Sequence, residues 1–285
     1  MENLGLQNVT PIVLGDAGNL IVRLTPYPIV ARVAKRFDDD DPDFWREKWA
    51  YEVKVSQHLA DRGVPVVQCS NLVPTGPHKV ADTWMTLWEY IEPVSLPKLS
   101  GKQAINTITA LVKGMSDFRD LLLPLEAWRN ANQAAEYLYS TKHDDSISRL
   151  LSAYELVNER IHREPLYPAH GDAHRGNLIS SSTGWRWIDF EDVSLMPKFW
   201  DYASFIGNFV LFHGLRHPVV ESVLQSIAAP DQPSFQFALE ARVIMAPMTN
   251  LALALHGHGD LDFAKEQLHR AVDFLITLNS GSLWD

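Results

Sequence analysis

Residues 170–192 read HGDAHRGNLISSSTGWRWIDFED, and their reading decides the fold. His170, Asp172 and His174 crowd into five positions, Asn177 follows, and the stretch ends on the acidic IDFED. LIS and WRWIDF are short apolar runs on either side of the turn SSSTG, so they form the two strands of a hairpin. A hairpin folds its ends back on each other. Asn177 at its entrance and Asp189 at its exit then approach within reach of a single ion. An amide carbonyl and a carboxylate are hard oxygen ligands, suited to Mg2+ rather than zinc. Asp172, in the loop just before, stays free of the metal and can orient a hydroxyl or accept its proton. Phosphoryl transfer from ATP needs such a metal clamp, a nucleophile-positioning acid and a cation on the phosphates.

Upstream, PIVL, GNLIVRL and PIVARVAK are strand-like and are separated by GDAGN and TPYP. They predict a hairpin followed by a third strand, with Gly15 and Gly18 as turn glycines. The acidic run Asp38 to Asp41 meets Pro42, which suits a helix start with Asp41 as N-cap. That helix should run to about Arg62, with Trp45, Trp49, Val53, Ser56 and Leu59 on one face. VPVVQCSNL and TWMTLWEYIE read as two more strands, joined by the loop VPTGPHKVAD. Strand alternation puts Trp84, Trp88 and Tyr90 on one face and Leu87 and Glu89 on the other. A Pro- and Gly-containing linker covers about residues 92 to 100.

Beyond the linker the period changes. Residues 101–122, 126–140 and 144–163 show helical spacing, and about four helical segments follow Pro197. The expected architecture is α+β and bilobal. A small β-rich lobe with one helix spans 1–92, and a larger, mostly helical lobe spans 93–285.

Composition narrows the function. The chain has 285 residues, 46% of them apolar, enough for one large domain or two modest lobes. Its 25 basic and 35 acidic side chains give a formal charge of −10. Nucleic-acid binding needs clustered Lys and Arg, so that class is excluded, whereas a cationic small molecule is compatible. Cys69 is the sole cysteine, which fits a reducing compartment. The N-terminus lacks the pattern of a signal peptide, and no apolar run approaches the ~20 residues of a membrane span. A cytoplasmic protein without a membrane partner is expected.

The HGD motif with Asn five residues after its Asp, followed by IDFED, resembles the aminoglycoside phosphotransferase and choline kinase-like family, distant relatives of protein kinases. The resemblance implies a protein kinase-like fold, ATP and Mg2+ as cofactors, and a small-molecule hydroxyl as acceptor. It implies Asp172 as the catalytic residue and Asn177 and Asp189 as magnesium ligands. GDAGN, with Gly15, Gly18 and Asn19, resembles the nucleotide-covering turn. Arg32 in ARV stands where the family has Lys or Arg, and Glu52 resembles its helix partner. TLWEYIEP, with Trp88, Glu89 and Tyr90, resembles the connector whose backbone receives adenine. FWDYASF resembles the segment of a later buried Asp, here Asp201. VPTGPH and TLWEY are most similar to a bacterial branch labelled only phosphotransferase.

Simpler readings stand beside these. Arg32 has apolar flanks, so it is either an exposed strand charge or a cation on the nucleotide-facing side of the sheet. Glu52 abuts the apolar helix stripe and sits at its edge. HGDAH also reads as HxDxH, part of a zinc motif. Against that zinc reading, His170 braces the loop by a hydrogen bond with Asp201, and His174 lies near phosphates or substrate. HGHGD at 256–260 is a helix–helix turn, and Asp260 and Asp262 are candidates for a cationic substrate. A catalytically silent, nucleotide-binding relative is the alternative function.

Overall fold

The computed structural model describes residues 4–16, 18–35, 42–141, 144–280 and 283–284. Asp38 to Asp41, including the expected N-cap, lie outside the described residues, as does Ala17 of the GDAGN turn. By internal contacts the chain divides into two compact units. One is Met1–Pro97 with Gly176–Glu191; the other is Lys98–Arg175 with Asp192–Asp285.

The first unit is built on an antiparallel sheet. Strands β1 (Thr10–Gly15), β2 (Leu20–Thr25), β3 (Ile29–Val33), β4 (His78–Val80) and β5 (Thr83–Glu89) lie in the order β1-β2-β3-β5-β4. The β-branched residues and the turns between them produce the meander β1–β2–β3, as the spacing predicts. On one face Val22, Leu24, Ile29, Ala31, Met85 and Leu87 close a small core. Alternation sends Arg32 and its cross-strand partner Thr86 to the other face. There, helix α1 (Pro42–Asp61) packs against β5.

The α1 stripe differs from expectation. Trp49, Glu52, Val55, Ser56 and Leu59 are buried, while Val53 is only half-buried. Glu52 therefore sits inside the stripe rather than at its edge, because it has a buried cation to meet. VPVVQCSNL is also not a strand. Pro65 has no N–H to donate, and the segment divides its bonds between two neighbours. Val67 N–H donates to Trp187 O, and Ser70 N–H donates to Leu87 O. The loop VPTGPHKVAD instead contains β4, paired with β5 across a two-residue turn at Ala81, whose φ is +50°. The hairpin β7 (Leu178–Ser181) and β8 (Gly184–Trp187) completes this unit.

The second unit is helical: α2 (Gly101–Met115), α3 (Glu126–Ser140), α4 (Asp145–Ile161), α5 (Trp200–His213), α6 (Pro218–Ser226), α7 (Gln232–Leu255) and α8 (Leu261–Ser280). Ser100 and Gln103 form a capping box on α2, and Gly101 lets that helix approach α6 closely: a Cβ there would lie 2.5 Å from Pro218 O. The predicted helix over 101–122 ends seven residues early, at Met115, where Ser116 caps it. Two short strands unforeseen in the sequence, β6 (Leu166–Ala169) and β9 (Ser194–Pro197), pair and brace the catalytic-type loop between them. By length and composition the run Ala229–Leu255 is apolar enough to cross a membrane, contrary to the sequence reading, but it is 61% buried. Packed by α3, α4, α5 and α8, α7 is the central helix of this unit.

Asp144 caps α4, its side chain accepting from the N–H groups of Ser146 and Ile147. Asp144→Ala should lower stability by about 1 kcal/mol, read as a shift in the urea midpoint at unchanged slope.

Candidate active site

In the first unit a cavity of about 610 Å³ opens on the face of the sheet that carries Arg32. Leu14, Ile21, Val30, Trp88, Ile179 and Ile188 line its apolar part, and Arg32, Glu52, Asp189 and Glu191 form its charged end. The guanidinium of Arg32 is the hub. It pairs with Glu52 Oε1 through Nη1. Through Nη2 it reaches Asp189 Oδ1 at 2.6 Å and Glu191 Oε2 at 2.8 Å. Its other side rests on the Trp49 ring, 4.6 Å from the centroid. Burial works to lower the Arg32 pKa, but the surrounding carboxylates outweigh it and hold the cation firmly charged. Burial also pushes the Glu52 carboxyl up, against the pull of Arg32. Its Oε2 is buried and has no hydrogen-bond partner among the described residues.

The hairpin positions the acids as the sequence suggests, with one refinement. Leu178 pairs with Trp187, and Ile188 N–H donates to Asn177 O, so Asn177 and Asp189 flank one end of the ladder. The second strand stops at Trp187, however, and Asp189 has φ +68°. This left-handed residue turns the chain so that both Asp189 and Glu191 face Arg32. Glu191 also accepts from Asn19 Nδ2 at 3.0 Å, tying the β1–β2 turn to the hub. Among the described residues no group of three or more His, Cys, Asp or Glu side chains is arranged to hold a metal.

The connector is partly committed. Glu89 N–H donates to Gln68 O and Tyr90 N–H to Pro28 O. The Glu89 carboxylate pairs with Arg186 at 2.8 Å, and Arg23 stacks on the Tyr90 ring.

The second unit holds its own cavity, about 480 Å³, with Asp172 and His174 in its wall. The HGD loop is held from beneath by Asp201, on the first turn of α5. Its Oδ2 accepts the N–H of His170 at 2.8 Å, and its Oδ1 accepts the N–H of Gly171 at 3.1 Å. Asp201 thus braces the loop through two backbone amides. Burial raises its pKa, opposed by His170 and these N–H bonds. Trp200 Nε1 donates to Gly171 O at 2.7 Å. Gly171, at φ +87°, could not be another residue: a Cβ would lie 2.0 Å from Asp192 O.

Asp172 faces two nitrogen partners. Arg242 Nη2 lies 2.8 Å from Oδ1, and His174 Nε2 lies 3.2 Å from Oδ2. Burial works to raise its pKa, but the His174 hydrogen bond and the Arg242 charge outweigh it and hold the carboxyl well below the ordinary range. Sequence reading missed Arg242 and Glu191. Arg242 and Glu240 are the only charged residues of α7, a signal that was there to find. Asp260 and Asp262 are not brought to this cavity. Asp260 is exposed and accepts the N–H groups of Asp262 and Phe263, as a helix cap does.

Residues 5–237 match the family model described as the APH phosphotransferase enzyme family. The chain belongs to that family, and it is an enzyme of the phosphotransferase class with a protein kinase-like α+β fold. A comparison with curated proteins finds no match. Among solved structures it resembles the choline kinase LicA from Streptococcus pneumoniae (14% identity, 94% of each chain covered, TM-score 0.66). It also resembles a choline/ethanolamine kinase family protein from Mesorhizobium loti (13% identity, 95% of this chain and 90% of that one, TM-score 0.65). The amicoumacin kinase hAmiN, in complex with AMP-PNP, Ca2+ and Ami, is 12% identical over 96% of this chain and 89% of that one, with a TM-score of 0.67.

Two outcomes follow from the geometry. Arg32→Met leaves the buried Glu52 and the half-buried Asp189 and Glu191 without their cation and should cost about 3 kcal/mol, measured by chemical denaturation. For Asp172 the folded pKa is depressed, so its stabilising contribution is present above the unfolded value of 3.8 and is lost as pH falls below it. Comparing unfolding of the native protein and Asp172→Asn between pH 7 and about 2 should show a shallower acid limb in the variant.

Proposed function

We propose that the protein transfers the γ-phosphoryl group of ATP to a hydroxyl of a small molecule, with Mg2+ as cofactor. The observation that carries this reading is the Arg32 hub at the charged end of an otherwise apolar cavity. Adenine is a flat aromatic base whose faces pack on apolar side chains, and the part of the cavity lined by Val30, Trp88 and Ile188 suits it. Glu89 and Tyr90 have their N–H groups engaged, so Ile91, which also lines the cavity, offers the next peptide N–H along the connector. The triphosphate then extends toward Arg32, a residue type that grips phosphate oxygens bidentately.

A divalent cation fits the same place by charge. Glu52, Asp189 and Glu191 surround one guanidinium, and with the Glu52 carboxyl pushed up by burial the other two carboxylates still outnumber it. Asn177 and Asp189 are the residues that would hold the ion, as an amide oxygen and a carboxylate. Mg2+ needs few protein ligands, since waters and phosphates complete its shell. When bound, it neutralises charge that develops on the phosphates.

Asp172 acts on the acceptor. Its carboxylate aligns the hydroxyl and receives its proton as the oxygen bonds to phosphorus and the bond from phosphorus to the bridging oxygen of ADP breaks. Arg242 and His174 fix its direction, and Asp201 fixes the loop that carries it. Positioning and charge supply most of the acceleration. Related kinases support this reading by what they hold. One is bound to AMP-PNP, Ca2+ and amicoumacin, and a thermostable aminoglycoside phosphotransferase mutant to ADP and hygromycin B.

The test is a thermal-shift titration with ATP and Mg2+ together and separately. A ligand specific for the native state raises apparent stability by mass action, so a magnesium-dependent rise with ATP is expected. Asp172→Asn should keep that rise and lose about 10²–10⁴-fold in ADP release with a working acceptor. Absence of any shift at millimolar ATP would remove the reading, and an unchanged shift without turnover in the native protein would favour a silent nucleotide binder.

A further inference from the structure

The cavity in the second unit constrains the acceptor, and the inference here deepens the proposed function, on which it rests for the reaction but not for binding. The wall away from Asp172 carries a chain of amides from three helices. Asn250 of α7 donates to Gln267 Oε1 of α8 at 2.8 Å, and Gln267 Nε2 donates to Asn208 Oδ1 of α5 at 2.8 Å. Gln267 at the centre is buried and fixes the two outer amides through both ends of its own amide. Asn208 keeps its amide N–H groups and Asn250 its carbonyl oxygen for a ligand, a donor and an acceptor on one wall.

Two buried polar atoms of the same cavity have no partner among the described residues: Ser204 Oγ and Arg242 Nε. Ser204 is 4% exposed and Arg242 7% exposed. Leaving such atoms unpaired is costly, and a ligand with matching polar groups removes the cost. Opposite them, His256 rests against the Tyr137 ring, 3.8 Å between centroids, and its Nδ1 contacts Ala252 O at 2.8 Å. With that contact made by Nδ1–H, Nε2 becomes a further acceptor.

Beside its neutral amides the lining holds one guanidinium, Arg242, and two carboxylates, Asp172 and Asp192. Asp172 is matched by Arg242 and His174, so its carboxylate is not a vacant counter-ion. Among the described residues of the wall Tyr137 is the one phenol or indole, whereas quaternary ammonium ligands are held by boxes of several aromatic faces. Asp260, the last residue of the HGHGD turn, and Asp262 lie outside the lining.

We propose that the acceptor is an uncharged, hydroxyl-rich molecule of monosaccharide or cyclitol size, held by Asn208, Asn250, Ser204 and Arg242 beside Asp172. Neutral amides and single donors read hydroxyl groups, each of which both donates and accepts.

The experiment has two readouts. Binding is followed by thermal shift without nucleotide, using D-ribose, D-glucose, myo-inositol, choline and kanamycin, each at about 5 mM, low enough that general solute exclusion is negligible. Turnover is followed by ADP release with ATP and Mg2+. At least one of the three neutral compounds should stabilise the protein and release ADP, and choline and kanamycin should do neither. Asn250→Ala and Asn208→Ala, both at partly accessible positions, should raise KM for that compound about tenfold and leave KM for ATP unchanged within twofold. Turnover of choline or kanamycin, no response to any neutral compound, or KM values indifferent to both substitutions would overturn the proposal. Loss of the ATP shift is a failure of the kinase reading alone, since neutral-compound binding is scored separately.

Discussion

The first unit depends on one buried guanidinium. Arg32 stands on a central strand with apolar neighbours, where an unpaired charge would be prohibitively costly. Its position is tolerable because Glu52 enters from α1, and Asp189 and Glu191 enter from the chain beyond the β7–β8 hairpin. That requirement places Glu52 inside the helix stripe and draws a sequence-distant hairpin into the same unit as the sheet. It also collects more negative than positive charge at one end of the cavity. A buried ion cluster of this kind is poor as a stability device, since well-packed apolar residues would serve as well or better. Its value lies in the field it creates at a defined point.

The second unit answers a different constraint, the placement of one carboxylate at the end of a glycine-containing loop. Asp201 satisfies two backbone N–H groups of that loop, Trp200 satisfies a carbonyl, and Gly171 allows the loop to pass against Asp192. The loop is therefore held by its backbone, which leaves the Asp172 side chain to Arg242 and His174. Both partners favour the ionised form, so burial does not neutralise it. The helices that supply Arg242 and the amide chain, α5, α7 and α8, also pack on one another in the core of the unit.

Much of this was legible in the sequence because it is local. The three-strand meander follows from β-branched runs and turn residues, and α3 and α4 follow from helical spacing. The HGD loop, Asn177 and Asp189 were visible because a hairpin brings near neighbours together. What was misread is equally physical. VPVVQCSNL has the composition of a strand but splits its hydrogen bonds between β5 and the end of β8, so no ladder forms. β6 and β9 are four residues each and exist through mutual pairing across 24 intervening positions (170 to 193), beyond any local pattern. Asp260 looked like a ligand-binding acid and caps a helix instead.

The sequence by itself determined most helices and the three-strand meander, the order of the two parts and the residue types able to do phosphoryl-transfer chemistry, because periodicity, turn chemistry and short-range spacing are properties of neighbours along the chain. Only the tertiary structure decided who partners whom. Glu191 joining Arg32, Arg242 meeting Asp172, and Asn208, Gln267 and Asn250 forming one chain across three helices all join residues dozens of positions apart or on separate helices. Such contacts arise from how buried polar groups must find partners once the apolar faces have packed, and that is settled in three dimensions.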